Sequence, residues 1–387
     1  MAHSRSRLTA EIDFDRDGKQ HGFIRLPYSV HRSAYGWIPI PVACIKNGDG
    51  PRVLLMAGNH GDEYEGQVAL GKLIRSLEAE EVCGRIIILP SANFPAAMAG
   101  MRTSPLDEGN LNRSFPGDPY GGPTAQIADY IESVLLPQCD FVFDFHSGGS
   151  SLTYVPSALM RRPQTPETLA QGIEMLRTFG APVAYLVDAA LGDHTLTAAA
   201  ARAEVRHMST EIAGGGQVTP TALRIMESGI RRVLAKVEAL SGEPPLAAAE
   251  TRIMQVRGQD YYVYAPDPGL FEPLVELGEE VTAGTPAAII HPHDTPWREP
   301  AIAAFGRTGT VICKRVPGRV ERGDCPLSPC GRFRAVSRAT YRTVGTCIRH
   351  GRGGPSGLTA DQVPILDIEA LPYRQSARVV HAKSRYA

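Results

Sequence analysis

The chain has 387 residues, 43% of them hydrophobic and 21% charged, with a formal net charge of -1. This is the composition of a globular protein with room for one large domain and a smaller one. The near-zero charge gives no footing for nucleic acid or an anionic membrane. No apolar run reaches about 18 residues, so no membrane span is expected. The start, MAHSRSRLTAEIDFDRDG, has no apolar signal core. The seven cysteines are scattered and form no CxxC pair. That argues against a disulfide framework and a thiolate zinc site, and fits a reducing, cytoplasmic setting.

Residues 1–45 read as an N-terminal extension with short strands. The turn GDGP at 48–51 then precedes the first core strand, VLLMA at 53–57. Its unbroken apolar run suits a strand buried on both faces. A helix is predicted over 66–77, where Val68, Leu70, Leu73, Ile74 and Leu77 fall near helical spacing. RIIILP at 85–90 is a second buried strand. A helix opening on Pro123 runs over 123–136, and FVFDF at 141–145 is a third strand. Further strands are expected at 183–187 and 207–212, and a long amphipathic helix at 220–240. The Ala-rich text TAAAARAE favours helix by propensity alone. Strands alternating with helices imply an α/β fold: a parallel or mixed sheet with helices on both faces, spanning a large domain at 46–245.

The pattern changes after residue 240. A Pro/Ala-rich linker at 241–250 leads to a small all-β domain at 255–325, rich in Gly, Pro and acidic turns. Its text, GLFEPLVELGEEVTAGTPAAII and GTVICKRVPGRVERGDC, resembles two halves of a lipoyl/biotinyl-like fold. The turns at 277–284 and 316–323 contain no Lys, so a carrier role is not expected. From 326 onward the chain carries ten Lys and Arg against three Asp and Glu, a net of +7, leaving -8 for residues 1–325. Pro326 and Pro329 argue against a central strand there. Residues 326–387 read as a basic tail, unrelated to the rest and without regular structure.

Two motifs carry chemistry. GNHGDE, with His60 and Glu63, directly follows the 53–57 strand. DFHSGG, with His146, ends the 141–145 strand. Open α/β sheets bind ligands just beyond the carboxyl ends of their strands. A lone His at such a place is ordinarily a hydrogen-bonded structural residue. Two glycine-flanked motifs together supply two imidazoles and a carboxylate, a zinc set that leaves one position open for water.

Between and after these motifs stand Arg102, NLNRSF with Asn112 and Arg113, and TEIAGGG with Glu211. In the order GNHGDE, NLNRSF, DFHSGG, TEIAGGG, the sequence resembles the succinylglutamate desuccinylase/aspartoacylase family, a branch of the zinc carboxypeptidase fold, over roughly residues 10–325. The texts IDFDRDGKQHGFIRLPYS, GNHGDEYEGQVAL and RTSPLDEGNLNRSFPGDP are most similar to its ectoine-degradation branch. The resemblance implies one Zn²⁺ per subunit on His60, Glu63 and His146. It implies Glu211 as general base and then acid, and Arg102 as the oxyanion-stabilising cation, although the spacing from Arg102 to the Asn-Arg pair is longer than in aspartoacylase-like members. Asn112 and Arg113 are implied to hold the substrate carboxylate, as the planar guanidinium fork suits. Read alone, Glu211 is a solvated strand-end glutamate, and Asn112 and Arg113 a loop contact.

The implied activity is deacylation of an N-acyl amino acid: N2-acetyl-L-2,4-diaminobutanoate to acetate and L-2,4-diaminobutanoate. The side-chain ammonium of such a substrate wants an acidic partner, and the sequence offers Asp62, Glu65 and Asp193 without choosing. Another N-acyl amino acid acylase or a carboxypeptidase is the near alternative. A non-catalytic zinc or partner-binding module is the distant one. The expected partner is a small molecule, with no nucleic acid or membrane, and homo-oligomerisation left open.

Overall fold

The computed structural model describes residues 6–163, 165–188, 192–242 and 250–333; most of the basic tail expected from 326 onward lies outside them. The N-terminal region differs from expectation. After β1 (Thr9–Ala10) come two long strands, β2 (Gly18–Pro27) and β3 (Trp37–Asn47). They pair antiparallel from Gly18↔Lys46 to Pro27↔Trp37 and form one side of the main sheet, not a separate extension. Pro39 and Pro41 precede Ala43, where pairing with the next strand begins. Their missing N–H groups therefore fall where β3 has only one partner.

The centre of the sheet runs β3-β5-β4-β6, from β4 (Arg52–Ala57), β5 (Gly84–Leu89) and β6 (Phe141–His146). The β4–β5 and β4–β6 pairs are parallel. These strands are largely apolar because both faces are covered, with Arg52, Arg85, Asp144 and His146 the exceptions. Period two sorts their side chains. Val53, Leu55, Ile86, Ile88, Phe143 and Phe145 enter one core with α1 (Tyr64–Ser76) and α6 (Pro220–Lys236). Leu54, Met56, Ile87, Leu89 and Val142 enter the other with α3 (Pro123–Tyr130) and α5 (Leu196–Arg202). Threonines start the later helices. Thr195 and Thr219 accept hydrogen bonds from the N–H groups of Ala198 and Ala222, and Thr165 caps α4 (Pro166–Phe179) in the same way.

The sheet continues β6-β10-β8-β9-β11-β18-β16-β13. The strands are β8 (Ser157–Arg161), β9 (Val183–Val187), β10 (Arg206–Glu211), β11 (Arg252–Val256), β13 (Glu280–Val281), β16 (Gly309–Arg315) and β18 (Leu327–Arg332). The short β7 (Leu152–Tyr154) joins β16 from the side. A strand at 327–332 corrects the expectation that the basic tail starts at 326. Pro329 is accommodated for two reasons. β11 pairs with β18 only at Gly331 and Arg332, and the β16 ladder shifts register between Val311 and Cys313, opposite Pro329 and Ser328. Proline is tolerated at such one-sided and bulged places.

A second sheet, β15-β14-β12-β17, consists of β12 (Gly269–Pro273), β14 (Pro286–His291), β15 (Ala301–Ala304) and β17 (Arg319–Val320). Its core residues Ala287, Ile290 and Phe305 pack with Val311 of β16 and Leu327 of β18. The expected all-β region therefore divides: part forms this small sheet, and part extends the main one. Among the described residues no helix is long and apolar enough to cross a membrane.

Candidate metal centre and active site

The loop after β4 and the end of β6 meet because β4 and β6 are parallel neighbours, so their carboxyl ends lie side by side. Glu63 closes the loop at the N-terminus of α1. A Cβ at Gly61 would lie 2.0 Å from the backbone carbon of Ala96, so only glycine lets the loop pass α2 (Phe94–Ala99). His60, Glu63 and His146 are 3%, 3% and 5% exposed. One donor atom from each lies within 4.8 Å of the others.

Glu63 sits between the imidazoles: its Oε1 is 2.6 Å from His60 Nδ1 and its Oε2 is 2.7 Å from His146 Nδ1. The other ring nitrogens are engaged behind. His146 Nε2 meets Asp144 Oδ2 at 2.7 Å, and His60 Nε2 meets Asn110 Oδ1 at 3.2 Å. Asn59 Nδ2 donates to the same Asp144 oxygen at 3.1 Å. Two imidazoles and a carboxylate with ligand atoms within 4.8 Å of one another, their rings further held by Asp144 and Asn110, are the donor chemistry and outer support that a divalent metal requires. The three residues fit such an ion.

The electrostatics follow from burial and proximity. Burial drives the His60 imidazole below its ordinary value, against the pull of Glu63. Burial opposes ionisation of Glu63 as well, but the two imidazoles overcome it and hold the carboxyl below the usual range. His146 is raised, despite burial, by Asp144 and Glu63. For Glu211, at the end of β10, burial and then the Glu63 charge push the carboxyl well above the ordinary value. Glu211 Oε2 has no hydrogen-bond partner.

The seven residues given metal, catalytic or carboxylate-binding roles from the sequence line one cavity of about 350 Å³: His60, Glu63, Arg102, Asn112, Arg113, His146 and Glu211. Arg102 Nη1 lies 3.5 Å from Glu63 Oε1. Asn112 and Arg113 occupy a single turn, Leu111–Arg113. Asn112 Oδ1 accepts the N–H of Leu196 at 2.9 Å, which ties this turn to the start of α5. Arg113 Nη1 donates to the Asn112 carbonyl at 2.7 Å. Partial burial and then the Arg102 charge lower the Arg113 guanidinium from its ordinary value. The Arg102 and Arg113 guanidinium groups lining one cavity call for an anionic ligand.

The same cavity is lined by Asp144, Tyr154, Arg161, His207 and Ser209, which sequence reasoning did not select. Asp144 had a readable signal: it stands two residues before His146 on a strand, so both point to one face. Of the acids offered for a substrate ammonium, none lines the cavity.

The chain is similar to known proteins over most of its length. The family description "Succinylglutamate desuccinylase/Aspartoacylase catalytic domain" matches residues 49–237. An N-alpha-acetyl-L-2,4-diaminobutyric acid deacetylase from Halomonas elongata is 41% identical over 319 residues, 82% of this chain and 93% of that protein. The product-bound ectoine utilization protein EutE (DoeB) from Ruegeria pomeroyi is 40% identical with a TM-score of 0.80, covering 84% of this chain and 98% of that one. A succinylglutamate desuccinylase/aspartoacylase from Rhodobacter sphaeroides is also 40% identical with a TM-score of 0.80, covering 85% and 100%.

Proposed function

Because the chain belongs to the succinylglutamate desuccinylase/aspartoacylase family, we propose that it deacetylates N2-acetyl-L-2,4-diaminobutanoate, giving acetate and L-2,4-diaminobutanoate, in ectoine degradation. The observation that carries this reading is the His60–Glu63–His146 donor set, within 4.8 Å and in one cavity with Glu211, Arg102, Asn112 and Arg113. The relatives named for this substrate supply its identity.

These three residues would hold one Zn²⁺ per subunit, which supplies Lewis acidity toward the amide carbonyl and toward water at neutral pH. Glu211 takes the proton of the attacking water and returns it to the leaving amine as the C–N bond breaks. Its raised pKa suits a group that must both accept and release a proton. Arg102, beside Glu63, faces the charge that develops on the carbonyl oxygen. Arg113 clamps the substrate α-carboxylate, with Asn112 fixing the turn that presents it. In an Nα-acylated amino acid the scissile nitrogen and that carboxylate share one carbon, so a clamp here positions the amide. Catalysis is assigned to residues 46–245, with the small sheet as a lipoyl/biotinyl-like accessory. The six described cysteines are free, in keeping with a reducing cytoplasm.

Release of the free amine from a panel of N-acetyl, N-succinyl and peptide substrates tests the proposal. N2-acetyl-L-2,4-diaminobutanoate is expected to show the highest kcat/KM. A succinyl or peptide substrate leading the panel would move the protein to another branch of the family.

A further inference from the structure

The deacetylase reading leaves the side-chain ammonium of the substrate without a partner. Each carboxylate in the cavity has another task, and among the buried carboxylate oxygens there only Asp144 Oδ1 and Glu211 Oε2 lack a hydrogen-bond partner. Glu63 faces the two imidazoles, Asp144 holds His146 and Asn59, and Glu211 stands at the reacting bond. The sequence's candidates lie outside the cavity lining. Asp62 Oδ2 accepts from the N–H and hydroxyl of Ser150 at 2.8 and 2.7 Å, and Glu65 accepts the Gly214 N–H at 3.1 Å. Asp193 is exposed and outside the lining. The hydroxyl of Ser209 donates to the Asp144 carbonyl, and that of Thr195 caps α5.

His207 is different. It shares β10 with Ser209 and Glu211 at two-residue steps, so the three side chains project from one face, toward the cavity. Pairing between β10 and β8 covers Ser209–Glu211 against residues 157–159 and stops. Beside His207 the sheet opens into a second cavity of about 750 Å³, which shares Met160, Arg161, Thr197 and His207 with the first. Both ring nitrogens of His207 are shielded from water and have no hydrogen-bond partner. Unpaired, buried polar atoms are rare in folded proteins and need a reason.

We infer that His207 recognises the side-chain amine of the substrate, its neutral imidazole accepting a hydrogen bond from the terminal ammonium while the scissile amide lies at the Glu211 end of the same strand face. The assignment rests on the deacetylase reading. Four residues of strand span about 13 Å, and an extended substrate hydrogen-bonded at both ends spans about the same. Burial, with a smaller push from His146 and an opposing pull from Asp144, lowers the His207 pKa to about 4. At neutral pH the ring therefore offers a lone pair to a cation without like-charge repulsion. A carboxylate at this place would compete with Glu211 for protons and with the metal ligands for the ion; an imidazole avoids the first conflict.

The test compares kcat/KM for N2-acetyl-L-2,4-diaminobutanoate and N-acetyl-L-norvaline, in which a methyl group replaces the ammonium, in the wild-type protein, His207→Leu and His207→Gln. The wild type should prefer the amine substrate. His207→Leu should lose about 10- to 100-fold on that substrate and little on norvaline, whereas His207→Gln, which keeps an acceptor, should retain most of the preference. An equal loss on both substrates, or an unchanged ratio in His207→Leu, overturns the assignment alone. A wild type inactive on every N-acetyl substrate overturns the deacetylase reading, and the assignment with it.

Discussion

The metal corner and the small four-stranded sheet both contain acid–base pairs, yet the two regions use charge in opposite ways. In the corner, Glu63 joins two imidazoles at 2.6 and 2.7 Å, with all three residues at most 5% exposed. In the small sheet, His291 meets Glu272 at 2.6 Å and Arg319 meets Glu321 at 2.9 Å, each side chain close to half exposed or more. Water screens the surface pairs, which are worth about 0–1 kcal/mol. Removing one partner in the corner strands the rest in the interior, at about 3–5 kcal/mol. A fold keeps ionisable groups in so costly a place when chemistry depends on them.

That contrast can be broken by substitution. Glu63→Gln should abolish metal binding and lower kcat/KM by at least ~10³-fold, since the metal contributes several kcal/mol; metal content and acetate release are measured together, and a metal-loaded, active variant would place the ion elsewhere. Glu211→Gln should keep its metal and lose about 10²–10⁴ in kcat. Asp144→Asn, which removes the charged partner behind His146, should weaken zinc affinity about 10- to 100-fold, as read by competition with a chromogenic chelator.

Two smaller effects sharpen the comparison. An imidazole whose pKa drops on folding takes up its proton more readily in the unfolded chain. The contribution of His207 is thus complete above about pH 6.5 and lost as the pH falls toward 4. Thermal unfolding followed by circular dichroism should show Tm dropping across that window, less steeply in His207→Leu. Glu272→Gln, on the small sheet, should change stability by no more than about 1 kcal/mol; a larger loss in denaturant unfolding would mean that the exposed pairs are stronger than their solvation implies.

The corner was legible because its determinants are local. The strands at 53–57 and 141–145 announce themselves as apolar runs, and each motif follows its strand directly. Burial on both faces left β4, β5 and β6 as apolar runs interrupted only by Arg52, Arg85, Asp144 and His146. What escaped depends on pairing between distant segments. β2 and β3 mix Lys, His, Arg and Pro into their alternation, and only the β5 partner starting at Ala43 explains why Pro39 and Pro41 are allowed. Pro329 misled for the same reason: a proline rules out a strand only if both neighbours reach it, and β11 does not. His207 carries no motif at all. Its distinction is the end of the β10–β8 ladder beside it, which no stretch of text reveals.

The most direct test of the central claim is acetate release from N2-acetyl-L-2,4-diaminobutanoate by the full chain before chelation, after removal of chelated metal by dialysis, and after adding back one equivalent of zinc. The expected result is full activity, its loss, and its return, with wild-type His60, Glu63 and His146 binding one zinc per chain. Undiminished turnover in a protein shown to be metal-free would contradict the account.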